Sequence, residues 1–322
     1  MLPRSSTTVV VIVAAVTGAA LGRGVAAAPP QAPAPTAAAT TAPSAAGTTS
    51  SASSASSASS ASHEEVEQDE ARPISGENPY EESTHPAVMR QPVLAKDGML
   101  RLPGGRFVLG SSSPRAPANE RPARPNSVST FWIDRTEVTV GAYRACVTAS
   151  ACVRPARASA SCTFDSGDPE LPVSCVHWRD ADAYCRFAGK RLPSEREWEY
   201  AARGGVSTAF PWGGVASCQN AITLVNDLSG KSCTAHPVRV GTHLLGGSLF
   251  GVQDMSGNVE EWTADWYVDS LGPAAPRAGS SHVLRGGGWL SPPSQSRTTS
   301  RDWGSALEAG PNVGFRCAKD AE

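Results

Sequence analysis

The chain has 322 residues, with 28 Lys and Arg against 30 Asp and Glu and a formal net charge of −2. That near-neutral balance, with no basic cluster carrying interleaved aromatics, argues against nucleic acid as a partner. Eight cysteines with no C-x-x-C pair argue against a zinc ribbon and for disulfides.

At the start, Arg4 is followed by an apolar run from Val9 to Leu21 and small residues around Ala26 to Ala28. That order is the pattern of a secretory leader, with an uncleaved N-terminal anchor as the alternative. The run is short and rich in Ala and Gly for a transmembrane helix. No cysteine follows it, which argues against a lipid-modified leader. Residues 1–28 are expected to be a signal peptide or anchor. The protein is expected to be exported (periplasmic, secreted or at the cell surface), with any membrane contact confined to this segment if it is uncleaved. Residues 29–91 are Ala/Ser/Pro-rich and then acidic from Glu64 to Glu82. They cannot bury enough apolar surface to offset chain entropy and read as a disordered linker.

Every tryptophan lies at or after Trp132 and every cysteine at or after Cys146, so residues 92–322 form the globular domain. In chain order, Arg101 to Gly110 reads as a turn and then a strand, with Phe107 and Leu109 alternating. Val128 to Val138 reads as a second strand. Thr139 is placed to cap a short helix through Cys146. Trp178 to Ala188 carries Ala181, Tyr184, Cys185 and Ala188 at helical spacing, closed by Gly189. Ser194 and Glu197 make a capping box for a helix through Arg203, ended by Gly204. After Phe210 the sequence is loop-rich. The expected class is α+β, with short helices, few strands and long loops held by disulfides.

The stretches LPGGRFVLG, FWIDRTEVTV, PVSCVHWRDADAYCRFAGKRLPSEREWEYAARGG, FPWG, FGVQDMSGNVEEWTADWY, VLRGGGW and GFRCA occur in this order. The ordered set closely resembles the formylglycine-generating enzyme family, also called sulfatase-modifying factor domains, across Met99 to Asp320. The resemblance implies that family's variant of the C-type lectin fold, with little regular secondary structure. Active members convert a sulfatase cysteine, within a C-x-P-x-R sequence, to formylglycine. They use oxygen and a Cu(I) ion held by two cysteine thiolates, a soft ligand set suited to that metal.

The positions matching those thiolates are Ser291 and Ser296, and Gly288 stands where the family usually carries serine. Copper is therefore not expected. Gly287, Gly288, Trp289 and Arg297 match the family's substrate groove. Arg285, Arg297 and Arg301 could hold a peptide or anion, or pair with nearby carboxylates. Cys185 and Cys317 match a family disulfide. A second family bridge is lost, with Ala202 and Arg301 at its positions. Cys146 with Cys152 and Cys218 with Cys233 are candidate local pairs, although eight cysteines allow 105 connectivities.

The loop DMSGNVEEW matches a structural calcium site of the family. It implies the Asp254 and Glu261 side chains and the Gly257 and Val259 carbonyls as hard oxygen ligands. Glu260 replaces the usual tryptophan there. Asn220 resembles a ligand of a further calcium site, with Asp227 as its acidic partner.

The function expected is a non-oxidase module that binds a ligand or protein, possible partners being a polypeptide or a sulfatase-like protein. The alternatives are formylglycine-generating oxidation of a sulfatase cysteine, or a different oxidation of a secreted metabolite.

Overall fold

A computed structural model describes residues 93–94, 97–155, 159–224, 233–272 and 277–321. The expected leader (1–28), the linker (29–91) and Asp227 lie outside the described residues. Among those described, no helix is long and apolar enough to cross a membrane.

The architecture is α+β with short elements. One sheet has the order β1-β2-β5-β10, from β1 (Val93–Leu94), β2 (Met99–Leu102), β5 (Phe131–Asp134) and β10 (Ala318–Asp320), all antiparallel. Between β2 and β5 the chain makes a separate antiparallel pair, β3 (Gly105–Leu109) with β4 (Arg124–Val128). A third sheet has the order β8-β7-β6-β9, from β6 (Glu260–Trp266), β7 (Ser281–Arg285), β8 (Arg301–Ser305) and β9 (Val313–Gly314). Its β6–β9 pair is parallel.

The expected strand over Val128 to Val138 is shorter than the pattern implied. Its central strand is only Phe131–Asp134, with Phe131 and Ile133 buried on one face. Val128 instead closes β4, the Arg135 carbonyl accepts from the Gln253 amide, and the Val138 amide donates to the Phe315 carbonyl.

The three helices follow their local signals. Helix α1 (Val140–Thr148) is capped by the Thr139 hydroxyl, which accepts from the Ala142 amide at 3.2 Å. Helix α2 (Trp178–Phe187) ends at Ala188, followed by Gly189 at φ +70°. Helix α3 (Glu195–Arg203) carries the full Ser194/Glu197 capping box and closes on left-handed Gly204. There a Cβ would meet the Leu249 amide nitrogen at 2.6 Å, so only glycine fits.

One core packs α1 and α2 around Tyr143, Trp262 and Phe315; the other packs α3 against the first sheet around Leu102, Ile133 and Trp198. Four disulfides use all eight cysteines: Cys146–Cys152, Cys162–Cys175, Cys185–Cys317 and Cys218–Cys233. Cys185–Cys317 closes a separation of 132 residues and pins α2 to the segment entering β10. Four bridges fit an oxidising compartment.

Where the resemblance places a further bridge, Ala202 is fully buried in α3 and Arg301 grips Glu195 of the same helix at 2.6 and 3.1 Å. An ion pair thus ties β8 to α3 where a covalent link is missing.

His282, on β7, is 1% exposed and stacked between Trp178 and Trp266 at 3.8 and 3.9 Å. Neither ring nitrogen has a hydrogen-bond partner of good geometry. Burial holds its imidazole down at about 4, against a smaller opposing effect of the Asp265 backbone. Above pH 6.5 the ring is neutral folded or unfolded. As pH falls below that, the unfolded chain takes up a proton that the folded chain refuses, so stability is lost down to about pH 4. His282→Phe, which keeps an aromatic ring in the stack, is expected to remove about 2 kcal/mol of the loss between pH 7 and 4.5. Urea unfolding at both pH values reads this directly, and equal losses in both proteins would refute the assignment.

Candidate functional site

Strand β7 runs into Gly286, Gly287 and Gly288. Gly286 and Gly287 have φ of +90° and +58°. A Cβ on Gly286 would lie 2.9 Å from the Trp198 ring, and one on Gly288 would lie 2.3 Å from Asn312 Oδ1. The glycine run is therefore required by close packing as well as by turn geometry.

This turn brings the two expected serines together. A Cβ on Gly287 would sit 2.5 Å from Ser296 Oγ and 3.1 Å from Ser291 Cβ. Ser291 Oγ accepts from the Gly288 amide at 3.0 Å and from Asn312 Nδ2 at 3.1 Å. Ser296 is fully buried and its hydroxyl has only a long bond, 3.4 Å, to the Pro292 carbonyl. No hydrogen bond joins either hydroxyl to a histidine or carboxylate among the described residues, so neither is set up as a nucleophile.

These residues do not fit Cu(I). Both side chains at the position are hard, neutral hydroxyls, and every cysteine is consumed in a disulfide.

The other groove candidates are committed to the fold. Trp289 is 7% exposed, with its indole N–H donating to the Pro311 carbonyl. Arg297 clamps buried Glu120 through both guanidinium nitrogens, at 2.9 and 2.5 Å. Arg285 pairs with Glu199, and Arg301 with Glu195, both inside the protein. Of the two readings left open for these arginines, internal ion pairing is the one the structure displays. A cleft of about 710 Å³ opens elsewhere, beside the Cys162–Cys175 bridge, between Phe164, Leu171, His236 and Pro237. None of the candidate residues lines it.

The expected calcium loop is an unusual electrostatic site. Asp254 sits at φ +57° and accepts from the Gly241 amide at 2.5 Å. Gly257 presses on Ile222, whose carbonyl oxygen would be 2.3 Å from a Cβ. Glu261, fully buried, is gripped by Arg316 at 2.7 Å to each oxygen and accepts from the Trp198 indole at 2.8 Å.

Glu137 is the residue that sequence reasoning missed. It is 2% exposed, and one oxygen accepts from Asn258 Nδ2 at 3.0 Å. The other oxygen is buried without a partner. Burial, then the Asp254 charge, pushes the Glu137 carboxyl well above its usual range. Burial works against the Arg316 charge too, but Glu261, Glu137 and Asp254 outweigh it and hold the guanidinium above its usual range.

Three carboxylates thus share one guanidinium in a nearly dry site. The orphan oxygen and the excess negative charge fit a hard dication. No three Cys, His, Asp or Glu side chains form a ready-made metal cage among the described residues. Calcium would have to draw on the Gly257 and Val259 carbonyls as well. Asn220 is not part of this loop: its side-chain amide donates to the Leu245 carbonyl at 2.8 Å.

Glu260 opens β6 beside this loop. It is 8% exposed. Burial, with the Asp302 and Glu308 charges adding to it and the Arg285 charge opposing, raises its carboxyl to about 8.

Residues 84–321 match the sulfatase-modifying factor enzyme 1-like domain family. The chain is 32% identical to a formylglycine-generating enzyme of Streptomyces coelicolor, over 70% of this chain and 90% of that one. It is also 32% identical to the inactive C-alpha-formylglycine-generating enzyme 2 of Mus musculus, over 69% of this chain and 86% of that one. Among solved structures, PvdO from Pseudomonas aeruginosa superposes with a TM-score of 0.58 at 28% identity, covering 69% of this chain and 94% of PvdO. With the triple-glycine turn, the Cys185–Cys317 bridge and the short-element fold in place, the chain belongs to the sulfatase-modifying factor, or formylglycine-generating enzyme, family.

Proposed function

We propose that this protein is an exported, calcium-stabilised member of the family that binds a polypeptide or partner protein and does not oxidise a cysteine. One observation carries the reading: two buried hydroxyls occupy the thiolate positions, and no cysteine is free to replace them. The similarity to a mammalian relative named as inactive supports it. A sulfatase-like protein is the partner class that the fold suggests, and the segment 29–91 would act as the spacer that presents the domain.

Calcium, when bound, supplies positive charge to the carboxylates of Glu137, Asp254 and Glu261. Arg316 then holds Glu261 in place, and Asn258 orients Glu137 through its side-chain amide. The loop between Asp254 and Glu261 is fixed against the strand that leads to the glycine turn.

The test combines two readouts on the purified protein. It is incubated with Cu(I), oxygen and a C-x-P-x-R peptide, beside a cysteine-containing relative, and the peptide is weighed. An unchanged thiol is expected here, with conversion by the relative. Formation of the aldehyde would overturn the non-oxidase reading. In parallel, calcium at a hundredfold excess over its Kd is expected to raise the melting temperature by about 5 °C over the chelated protein. No shift would remove calcium from the proposal.

A further inference from the structure

The cleft of about 710 Å³ away from the serine turn has a disulfide in its wall. Cys162 lines it and is half-buried, while its partner Cys175 is fully buried. The Cys146–Cys152 and Cys185–Cys317 bridges are sealed, with each cysteine between 0% and 9% exposed. Cys218–Cys233 is half-buried but does not line this cleft. A bridged sulfur carries no proton, so both Ser159 contacts run toward Cys162 Sγ: the amide donates at 3.3 Å and the hydroxyl at 3.8 Å. Phe164, Leu171 and Pro237 give the cleft an apolar wall, and His236 stands beside them. His236 Nδ1 lies 3.1 Å from the Pro237 carbonyl, which can only accept. The proton is therefore on Nδ1, and Nε2 keeps its lone pair for a base.

Thiol–disulfide exchange needs a sulfur that a thiolate can reach, a second sulfur to leave, and a route for the thiol proton. The cleft offers the first in Cys162, the second in Cys175 and the third in His236. The bridge is also not the only tie between its two segments. The Thr163 amide donates to Ser174 Oγ at 3.2 Å, the Thr163 hydroxyl to the Pro172 carbonyl at 2.7 Å, and the Ser174 amide to Thr163 Oγ1 at 2.9 Å. These bonds, beside both cysteines in sequence, hold the two segments together when the sulfur–sulfur bond opens.

We infer that this cleft is a covalent modification site, where a low-molecular-weight thiol exchanges into the Cys162–Cys175 bridge and remains as a mixed disulfide on Cys162. His236 Nε2 takes the proton of the incoming thiol. The thiolate attacks Cys162 Sγ, and a new sulfur–sulfur bond forms as the Cys162–Cys175 bond breaks. The electron pair leaves on Cys175, which takes up a proton from solvent as His236 gives its own back. One disulfide replaces another, so no oxidant or reductant is consumed. The fold carries the change to the serine turn. The Cys175 amide donates to the Gly310 and Val313 carbonyls at 3.0 and 3.2 Å. Between those residues, Asn312 accepts from the Leu290 amide at 2.9 Å and donates to Ser291 Oγ at 3.1 Å. Movement of Cys175 therefore shifts the seat of Asn312.

The experiment incubates the whole, undenatured protein with reduced glutathione. S-methylglutathione, which has no thiol to exchange, is the control. Samples taken over time are alkylated with N-ethylmaleimide in urea and mapped by mass spectrometry. The first product is expected to carry glutathione on Cys162 and maleimide on Cys175. It is expected to form on the order of tenfold faster than any product at the other bridges, because access sets the rate. His236→Gln is expected to slow it roughly tenfold at pH 7. At pH 9.5, where about nine-tenths of an ordinary thiol is ionised, the variant and the parent are expected to react alike. The NMR signals of the Leu290 and Ser291 amides are expected to move with the adduct and to stay in place with S-methylglutathione. A first adduct on Cys175 or at Cys218–Cys233, or exchange only after unfolding, would overturn the site. Equal slowing of His236→Gln at both pH values would overturn its role as the base. Unmoved Leu290 and Ser291 signals in the adduct would overturn the link to the serine turn.

Discussion

A Ser291→Cys/Ser296→Cys double variant is expected to hold one Cu(I) per chain, where the parent protein holds none. The backbone already has the needed form. Both side chains lean over Gly287, with Ser296 Oγ and Ser291 Cβ at 2.5 and 3.1 Å from the place of its missing Cβ. Exchange of oxygen for sulfur turns two hard hydroxyls into soft thiolates without moving the main chain. The cost is the pair of bonds that Ser291 Oγ accepts from Gly288 and Asn312, about 1 kcal/mol each. Competition with a chromogenic Cu(I) chelator under anaerobic conditions measures the uptake. A thiol count of two per chain confirms that the four native bridges survive. Equal copper uptake by the parent would mean that something other than thiolates holds the metal, and the non-oxidase reading would lose its foundation. Failure of the variant to bind, with both thiols free, would show that the turn has lost the geometry as well as the ligands.

The elements legible in the sequence were those with local causes. The α3 capping box, the Thr139 cap and the glycine stops of α2 and α3 depend on residues a few positions apart, and each is present. The β8-β7-β6-β9 sheet was not legible, although β6 and the end of β7 lie within quoted motifs. Strand prediction relies on apolar side chains alternating with polar ones. In this sheet charged residues are buried instead: Glu260 and Glu261 on β6, Arg285 on β7 and Arg301 on β8. The partners of the two arginines, Glu199 and Glu195, come from α3, far away in sequence, so the pattern reads as loop. The candidate site divides in the same way. The exchange of two cysteines for Ser291 and Ser296 could be seen directly. The consumption of Arg297 by Glu120 could not, because those residues are 177 positions apart. Glu137 was hidden for a similar reason, since nothing nearby in sequence marks a glutamate that will be buried beside Asp254.

Arg316→Met is expected to lower the unfolding free energy by about 3–5 kcal/mol, the usual cost of removing one member of a buried ion pair. Arg316 is fully buried and donates to Glu261 at two points, to the Gln253 carbonyl at 2.9 Å, and to the carbonyls of Asp134 and Arg135 at 3.2 Å. Methionine fills much of the volume, so the loss reports charge and hydrogen bonds more than a cavity. Without the guanidinium, Glu137, Asp254 and Glu261 face one another with no positive charge among them. Two further measurements separate causes. Adding Glu261→Gln to the variant removes the stranded charge and is expected to recover part of the loss, a coupling that a double-mutant cycle in urea quantifies. Strictly additive losses would show that Arg316 acts through its carbonyl contacts alone. Calcium is expected to raise the urea midpoint of Arg316→Met more than that of the parent, because the same dication then meets a site with one more uncompensated negative charge. A smaller rise in the variant would mean that Arg316 shapes the loop to receive the ion, so that its geometry matters more than the charge it cancels.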